Sequence, residues 1–324
     1  MGKLQRYFWP KTLLLFYANK ETIEAAFGFF DKKSIVIETR RAFDGKKKEH
    51  EIEEWYEEIL QTYPKTYVGT MLDSINQGAI SGCSKQDLEK FDIKSSLVHT
   101  ICVEEKWLAY ASLVEMKWFE KRYMSLPLDF IFSPFIMLYE KVKSDLTNTP
   151  ILAVLHQKGV LYIAVFSNEG LWFSQILAIA EDSLDDDVLE DDEDDDIGLA
   201  FDLENLDTDI EPISEVDTLD DFEQDIESEK FDTGGDAELD LLDYDLNFFD
   251  KLKISIENFY HSDLYKHEFL ESILIYDADS QIGRDIVQYI QDELFMNCSL
   301  HDFDPIESMS KLAFLDLKEN KKRD

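Results

Sequence analysis

The sequence predicts an α/β protein of two similar lobes, the second interrupted by a long acidic insert. Three observations predict this. Short β-branched and apolar runs alternate with helix-period runs along the chain. A set of three strand-like segments near the start recurs about 140 residues later. Residues 181–245 hold 31 Asp or Glu and one basic residue, Lys230.

The 324 residues leave room for about two domains. At 44% hydrophobic and 13% aromatic residues, the chain can bury a sizeable core once the acidic stretch is set aside.

The elements follow in order. Thr12–Tyr17, Glu24–Phe30 and Ser34–Arg40 are apolar or β-branched runs separated by Asn, Lys and Asp-Lys-Lys, as in an antiparallel meander. His50–Thr62 places Ile52, Trp55, Tyr56, Ile59 and Leu60 at helical spacing and is closed by Pro64. Thr66–Leu72 and Leu97–Val103 read as strands, Trp107–Ser112 as a strand or helix, and Leu128–Val142 as a buried helix with Pro134 as its kink or start. Ile151–Leu155, Val160–Ser167 and Gly170–Ile179 are a second run of three strands, with turns at Gln157-Lys158-Gly159 and at 167–170. Beyond the acidic stretch, Leu246–Tyr260 is a helix, Ile273–Tyr276 a strand and Gly283–Phe295 a helix with Ile286, Ile290 and Leu294 on one stripe. Leu300–Phe303 and a last helix near Ile306–Leu315 close the chain. The predicted division is 1–150 for the first lobe, 151–181 with 246–318 for the second, 182–245 for the insert and 319–324 for a charged tail.

The net charge is −38, of which the acidic stretch carries about −30, leaving about −8 on everything else. Self-repulsion there exceeds what its few apolar residues recover by burial, so Asp182 to about Asp243 is expected to be disordered. It would act as a solubilising spacer or as a docking strip for a basic protein. Phosphate binding needs Lys and Arg to replace counterions, so no direct nucleic-acid binding is expected, and membrane association would run through partners.

Cys83, Cys102 and Cys298 are widely separated and odd in number, which fits neither a disulfide framework nor a metal knuckle and implies a reducing, cytoplasmic setting. The apolar run in Met1–Ala18 is broken by Pro10 and Lys11, and Leu128–Tyr139 carries Asp129, so neither a signal peptide nor a membrane-spanning helix of about 20 residues is expected.

The order of meander, helix, strand, helix, second meander, long helix, strand and helix resembles the actin-like ATPase (ribonuclease H-like) fold. It looks in particular like the PilM family of type IV pilus assembly proteins and the cytoplasmic domain of type II secretion protein L. Ile151–Leu177, ILAVLHQKGVLYIAVFSNEGLWFSQIL, is similar to that family's second phosphate hairpin. Ile273–Asp292, ILIYDADSQIGRDIVQYIQD, with Asp302-Phe303-Asp304-Pro305, is similar to its closing strand, helix and short segment. Actin-like ATPases receive phosphates on two hairpins that each begin with Asp and are rich in Gly, which lets backbone amides approach. Here the hairpins read Tyr17-Ala18-Asn19-Lys20 and His156-Gln157-Lys158-Gly159, and Asp277-Ala278-Asp279 puts carboxylates where an adenine nucleotide would sit.

No catalytic residue, cofactor site or metal site is therefore predicted. Asp232-Thr233-Gly234 matches the aspartic-protease triplet but lies inside the acidic run rather than in a loop between buried strands. Asp192, Asp194 and Asp196 have calcium-loop spacing, but Ile197 and Leu203 stand where Gly and Glu belong. His99 and Cys102 lack a second ligand pair and are expected in the core of a strand. The resemblance implies a non-catalytic cytoplasmic scaffold of a pilus, secretion or DNA-uptake (competence) machine. Its groove would take the cytoplasmic tail of a bitopic inner-membrane protein. An active actin-like ATPase, or an acidic adaptor unconnected with secretion, are the alternatives.

Overall fold

The computed structural model describes residues 10–19, 22–44, 48–122, 126–179, 236–266 and 268–323. β1 (Thr12–Ala18), β2 (Thr22–Phe30) and β3 (Ile35–Asp44) form the expected antiparallel meander. α1 (Lys48–Thr62) crosses over, and β4 (Thr66–Met71) returns parallel to β1. β5 (Gln77–Ser81), α2 (Lys85–Lys90), β6 (Val98–Val103) and β7 (Trp107–Ser112) then build a separate three-stranded sheet of order β5-β7-β6. After α3 (Leu113–Arg122), β8 (Phe130–Phe132) completes a first sheet of order β3-β2-β1-β4-β8.

α4 (Pro134–Val142) leads into β9 (Ile151–Gln157), β10 (Val160–Ser167) and β11 (Gly170–Ala178), the second meander. α5 (Asp236–His261), β12 (Ser272–Asp277), α6 (Asp285–Leu294), β13 (Asn297–Asp302) and α7 (Pro305–Arg323) follow. The second sheet has the order β11-β10-β9-β12-β13, with β12 parallel to both β9 and β13. Both five-stranded sheets therefore share one pattern of order and direction, the structural form of the predicted duplication.

Central strands are apolar on both faces because both are covered. In β1, Leu13 and Leu15 face the core shared by the two lobes, while Leu14 and Phe16 face α1 with Ile52, Trp55 and Ile59. In β9, Ala153 and Leu155 face the shared core, while Leu152 and Val154 face α5 and α6 with Phe248, Leu252, Ile286 and Ile290. α4, with Phe135, Met137, Leu138 and Val142 all fully buried, and α7, through Ile306, Met309 and Ala313, lie in that shared layer. Each fully buried Leu, Ile, Val, Phe or Met side chain among them contributes about 2 kcal/mol by leaving water.

Three expectations are corrected. Leu128–Val142 is a short strand followed by a helix, because Pro134 at the first helical turn starts α4 and the residue before a proline is pushed towards extended backbone. Cys83 and Cys102 form a disulfide with Cα atoms 5.5 Å apart, so the cysteines no longer argue for a reducing setting. The β5-β7-β6 pairing sets Ser81 opposite Trp107 and Cys102 opposite Leu108, so the two thiols meet across β7 despite a separation of 19 in sequence. His99 and Cys102 lie on β6 as expected but are exposed, since β6 is the outer strand of its sheet.

Residues 180–235, which hold most of the expected insert with the Asp192–Asp196 and Asp232-Thr233-Gly234 patterns, lie outside the described residues. α5 opens at Asp236 rather than at Leu246. Among the described residues, no helix is long and apolar enough to cross a membrane.

Candidate functional site in the cleft between the lobes

Four chain segments converge between the lobes: the end of β1, the residue pair after β4, the β9–β10 hairpin and the segment after β12. The hairpin turns through Lys158 at φ 50° and Gly159 at φ 74°. A two-residue loop with both φ positive matches the twist of its strands. Gly accepts that backbone freely, whereas Lys158 is held in it at about 1 kcal/mol.

Lys158 is anchored at both ends. Its backbone N–H donates to Asp279 Oδ2, and its ammonium donates to Asp73 Oδ2 at 2.9 Å. The other Asp279 oxygen accepts from the Tyr17 hydroxyl at 3.0 Å. Tyr17 and Asp73 belong to the first lobe, Lys158 and Asp279 to the second, so one polar network spans the cleft. Burial, followed by the charge and hydrogen bond of Asp279, pushes the Tyr17 phenol well above its ordinary range, so it stays a donor.

A second, deeper set lies behind the hairpin. His156 is fully buried, with Nδ1 2.8 Å from Asp277 Oδ1 and Nε2 2.5 Å from the Tyr244 hydroxyl. Asp277 Oδ1 also accepts from the Asp279 amide at 3.0 Å, and Oδ2 accepts from the Ile282 amide at 2.8 Å. Burial raises the Asp277 carboxyl, but the His156 hydrogen bond and charge, with the two amides, outweigh it and hold the group below the usual carboxylate range. Burial, with the charges of Asp279, Asp277 and Asp245, pushes the Tyr244 phenol well up. The next residue, Asp245, accepts from the Gly283 amide at 3.0 Å, and a Cβ at Gly283 would meet Asp245 Oδ2 at 2.3 Å, so a larger residue there would have to push this carboxylate aside.

Chemically, this is a place for an anion whose donors are already occupied. A hairpin amide, an ammonium and a phenol converge as they would on a phosphate. Asp279 and Asp73 accept all three. The hydroxyls bonded to Asp279 and His156 are the phenols of Tyr17 and Tyr244, both kept protonated by burial and the carboxylates around them. Among the described residues, no group of three or more His, Cys, Asp or Glu could hold a metal.

Of the residues the sequence pointed to, the structure brings together Tyr17, His156, Lys158, Asp277 and Asp279. Lys20 lies outside the described residues. Asp304, from the acidic-proline patch, pairs instead with Arg40 at 2.5 Å, at the start of α7. Two members escaped sequence reasoning. Asp73 follows a strand whose partner could not be read from the chain, and Tyr244 fell within the predicted insert, 182–245.

The model of a Domain of unknown function (DUF8569) matches residues 8–139, and that of a Domain of unknown function (DUF8341) matches residues 152–318. No curated protein matches the chain. Among solved structures, the PilM-PilN type IV pilus biogenesis complex superposes with a TM-score of 0.51 at 11% identity, covering 91% of this chain and 89% of that one. A Bacteroides thetaiotaomicron VPI-5482 protein with an actin-like ATPase fold gives 0.45 at 8% identity, covering 95% and 98%. The cytoplasmic domain of EpsL, an inner-membrane component of the Vibrio cholerae type II secretion system, gives 0.32 at 9%, covering 52% and 72%. The duplicated sheet pattern and the PilM likeness together make the fold actin-like.

Proposed function

The chain belongs to the family described as Domain of unknown function (DUF8341), and we propose that it is a non-catalytic cytoplasmic scaffold of an inner-membrane assembly, of the type IV pilus, type II secretion or DNA-uptake kind. One observation carries the non-catalytic half: the donors that would receive a nucleotide's phosphates, at Lys158 and Tyr17, are held by Asp279 and Asp73. Carboxylates fixed in that position repel the phosphate chain of a nucleotide.

The partner in this reading is a short cytoplasmic segment of a bitopic membrane protein. The PilM structure, whose fold this chain shares, is of a complex with PilN. The three-stranded sheet is the surface suited to such a segment. Among the described residues β6 pairs only with β7, leaving one strand edge open, and Leu97, Ile101, Val114 and Trp118 are exposed beside or near it. An open edge with apolar neighbours is how folded domains take extended segments. A basic protein at residues 182–245 is a second proposed partner, drawn in by charge.

The test is a photo-crosslinking side chain placed at Ile101 in the native cell. Adducts with an inner-membrane protein, lost on Trp118→Glu, are expected. Adducts confined to cytosolic proteins, or unaffected by Trp118→Glu, would contradict the reading.

A further inference from the structure

β12 and β13 run parallel and begin at the same end of the second sheet, where the Asn297 amide donates to the Glu271 carbonyl at 3.0 Å. Two residues before each of these partners stands a phenylalanine open to water: Phe269 is 68% exposed and Phe295 88%. Tyr260, itself partly exposed, reaches this end through its hydroxyl, which accepts from the Leu270 amide at 3.0 Å.

Phe295 is anomalous twice. It caps α6 in the left-handed region at φ 54°, a position where Gly or Asn is ordinarily found. Its ring gains nothing from burial in return. A bulky residue in that backbone region has a reason outside the helix itself. The exposed charges next to the two phenylalanines in sequence are carboxylates, apart from Lys266, which is paired. The last turn of α6 holds Asp292 and Glu293 and no basic residue, which adds to the negative pole of the helix. Glu268 and Glu271 flank Phe269. Lys266, close by in sequence, is occupied by Glu169 at 2.8 Å and Glu268 at 3.3 Å.

We propose that this end of the second sheet, built on Phe269 and Phe295 with exposed carboxylates at Glu268, Glu271, Asp292 and Glu293 nearby in the chain, docks a short basic amphipathic segment of another protein. The phenyl rings supply the apolar contact. Glu271, Asp292 and Glu293 select Lys and Arg at its margins and speed encounter. This surface lies at the opposite end of β12 from Asp277 and Asp279 of the candidate site.

Fluorescence anisotropy with the full chain tests it. The probe is a Leu/Lys peptide of about 14 residues, four helical turns, patterned as an amphipathic helix. A Ser/Lys peptide of equal charge reports attraction by charge alone, including that of residues 181–245. The native chain is expected to bind the Leu/Lys peptide about tenfold more tightly than the Ser/Lys peptide. The variant Phe269→Ser/Phe295→Gly is expected to lose that difference while its affinity for the Ser/Lys peptide stays put. Phe295→Gly alone suits the left-handed backbone, so its thermal stability holds or rises and a loss of binding there is not a loss of folding. No preference for the Leu/Lys peptide in the native chain, or the same preference in the variant, would overturn the proposal.

Discussion

The Lys158 ammonium lies 2.9 Å from the Asp73 carboxylate, tying the hairpin of the second lobe to the strand end of the first. Both side chains are largely buried, at 20% and 11% exposure. A charge-assisted bond there stabilises by about 2 kcal/mol. Lys158→Met is expected to cost about that much in urea unfolding, and adding Asp73→Leu is expected to recover part of it, because no carboxylate is then left without its cation.

The Tyr17–Asp279 bond joins the lobes a second time. Tyr17→Phe is expected to lower stability by about 1 kcal/mol, and Asp279→Ala by more, since it strands both the phenol and the Lys158 amide. The double variant should be less than additive, with a coupling of about 1 kcal/mol. Strict additivity in denaturant unfolding would mean that the two residues do not act through one network.

Acid should unfold the protein partly through Asp277. Its folded-state affinity for protons is depressed, so it contributes stability above the ordinary aspartate range of about 3.9 and loses it as pH falls through the lower folded value. The urea midpoint is expected to fall below about pH 4 more steeply in the native chain than in Asp277→Asn. The Asn variant should start from a lower midpoint at pH 7. On the alkaline side the raised phenols of Tyr17 and Tyr244 act oppositely: their contribution is complete below about pH 10 and is lost as pH rises beyond it.

The disulfide of Cys83 and Cys102 closes a short loop within the three-stranded sheet. For a closed loop of about 20 residues the unfolded chain loses entropy worth about 3 kcal/mol. Cys83→Ser/Cys102→Ser, or reduction by dithiothreitol, is expected to lower the urea midpoint accordingly. Cys298, buried and with its thiol pushed up to about 12 by that burial, is expected to resist alkylation in the folded state.

Much of the fold could be read because its central strands are uniformly apolar and its meander turns are short and polar. The Leu13–Phe16 and Ile151–Leu155 runs are buried on both faces and leave little doubt about type. What escaped were β5, α2 and α3, the elements around β6 and β7 in the three-stranded sheet. β5 is the five-residue Gln77–Ser81 and contains Gly78, α2 has six residues, and α3 leaves Val114 and Trp118 in water, so none shows a sustained period. A readable signal for α2 existed in Ser84-Lys85-Gln86-Asp87, which forms a capping box and holds the Asp87 carboxyl at about 2 through its hydrogen bonds with Ser84 and Lys90. The disulfide could not be inferred from spacing, because the strand that brings the two sulfurs together, β7, comes after both cysteines. In the cleft, hairpin and strand-end residues were legible as departures from a pattern, but their pairing with Asp73 and Tyr244 depends on which strands become neighbours.

Thermal unfolding of the purified chain with and without Mg-ATP tests the central claim most directly. A ligand at a hundred times its dissociation constant stabilises the folded state by about 2.7 kcal/mol. With Asp279 and Asp73 holding the hairpin amide, the ammonium and the phenol, no shift in midpoint is expected. An upward shift of several degrees would show that the nucleotide displaces those carboxylates, and would make the protein an ATPase candidate instead of a scaffold.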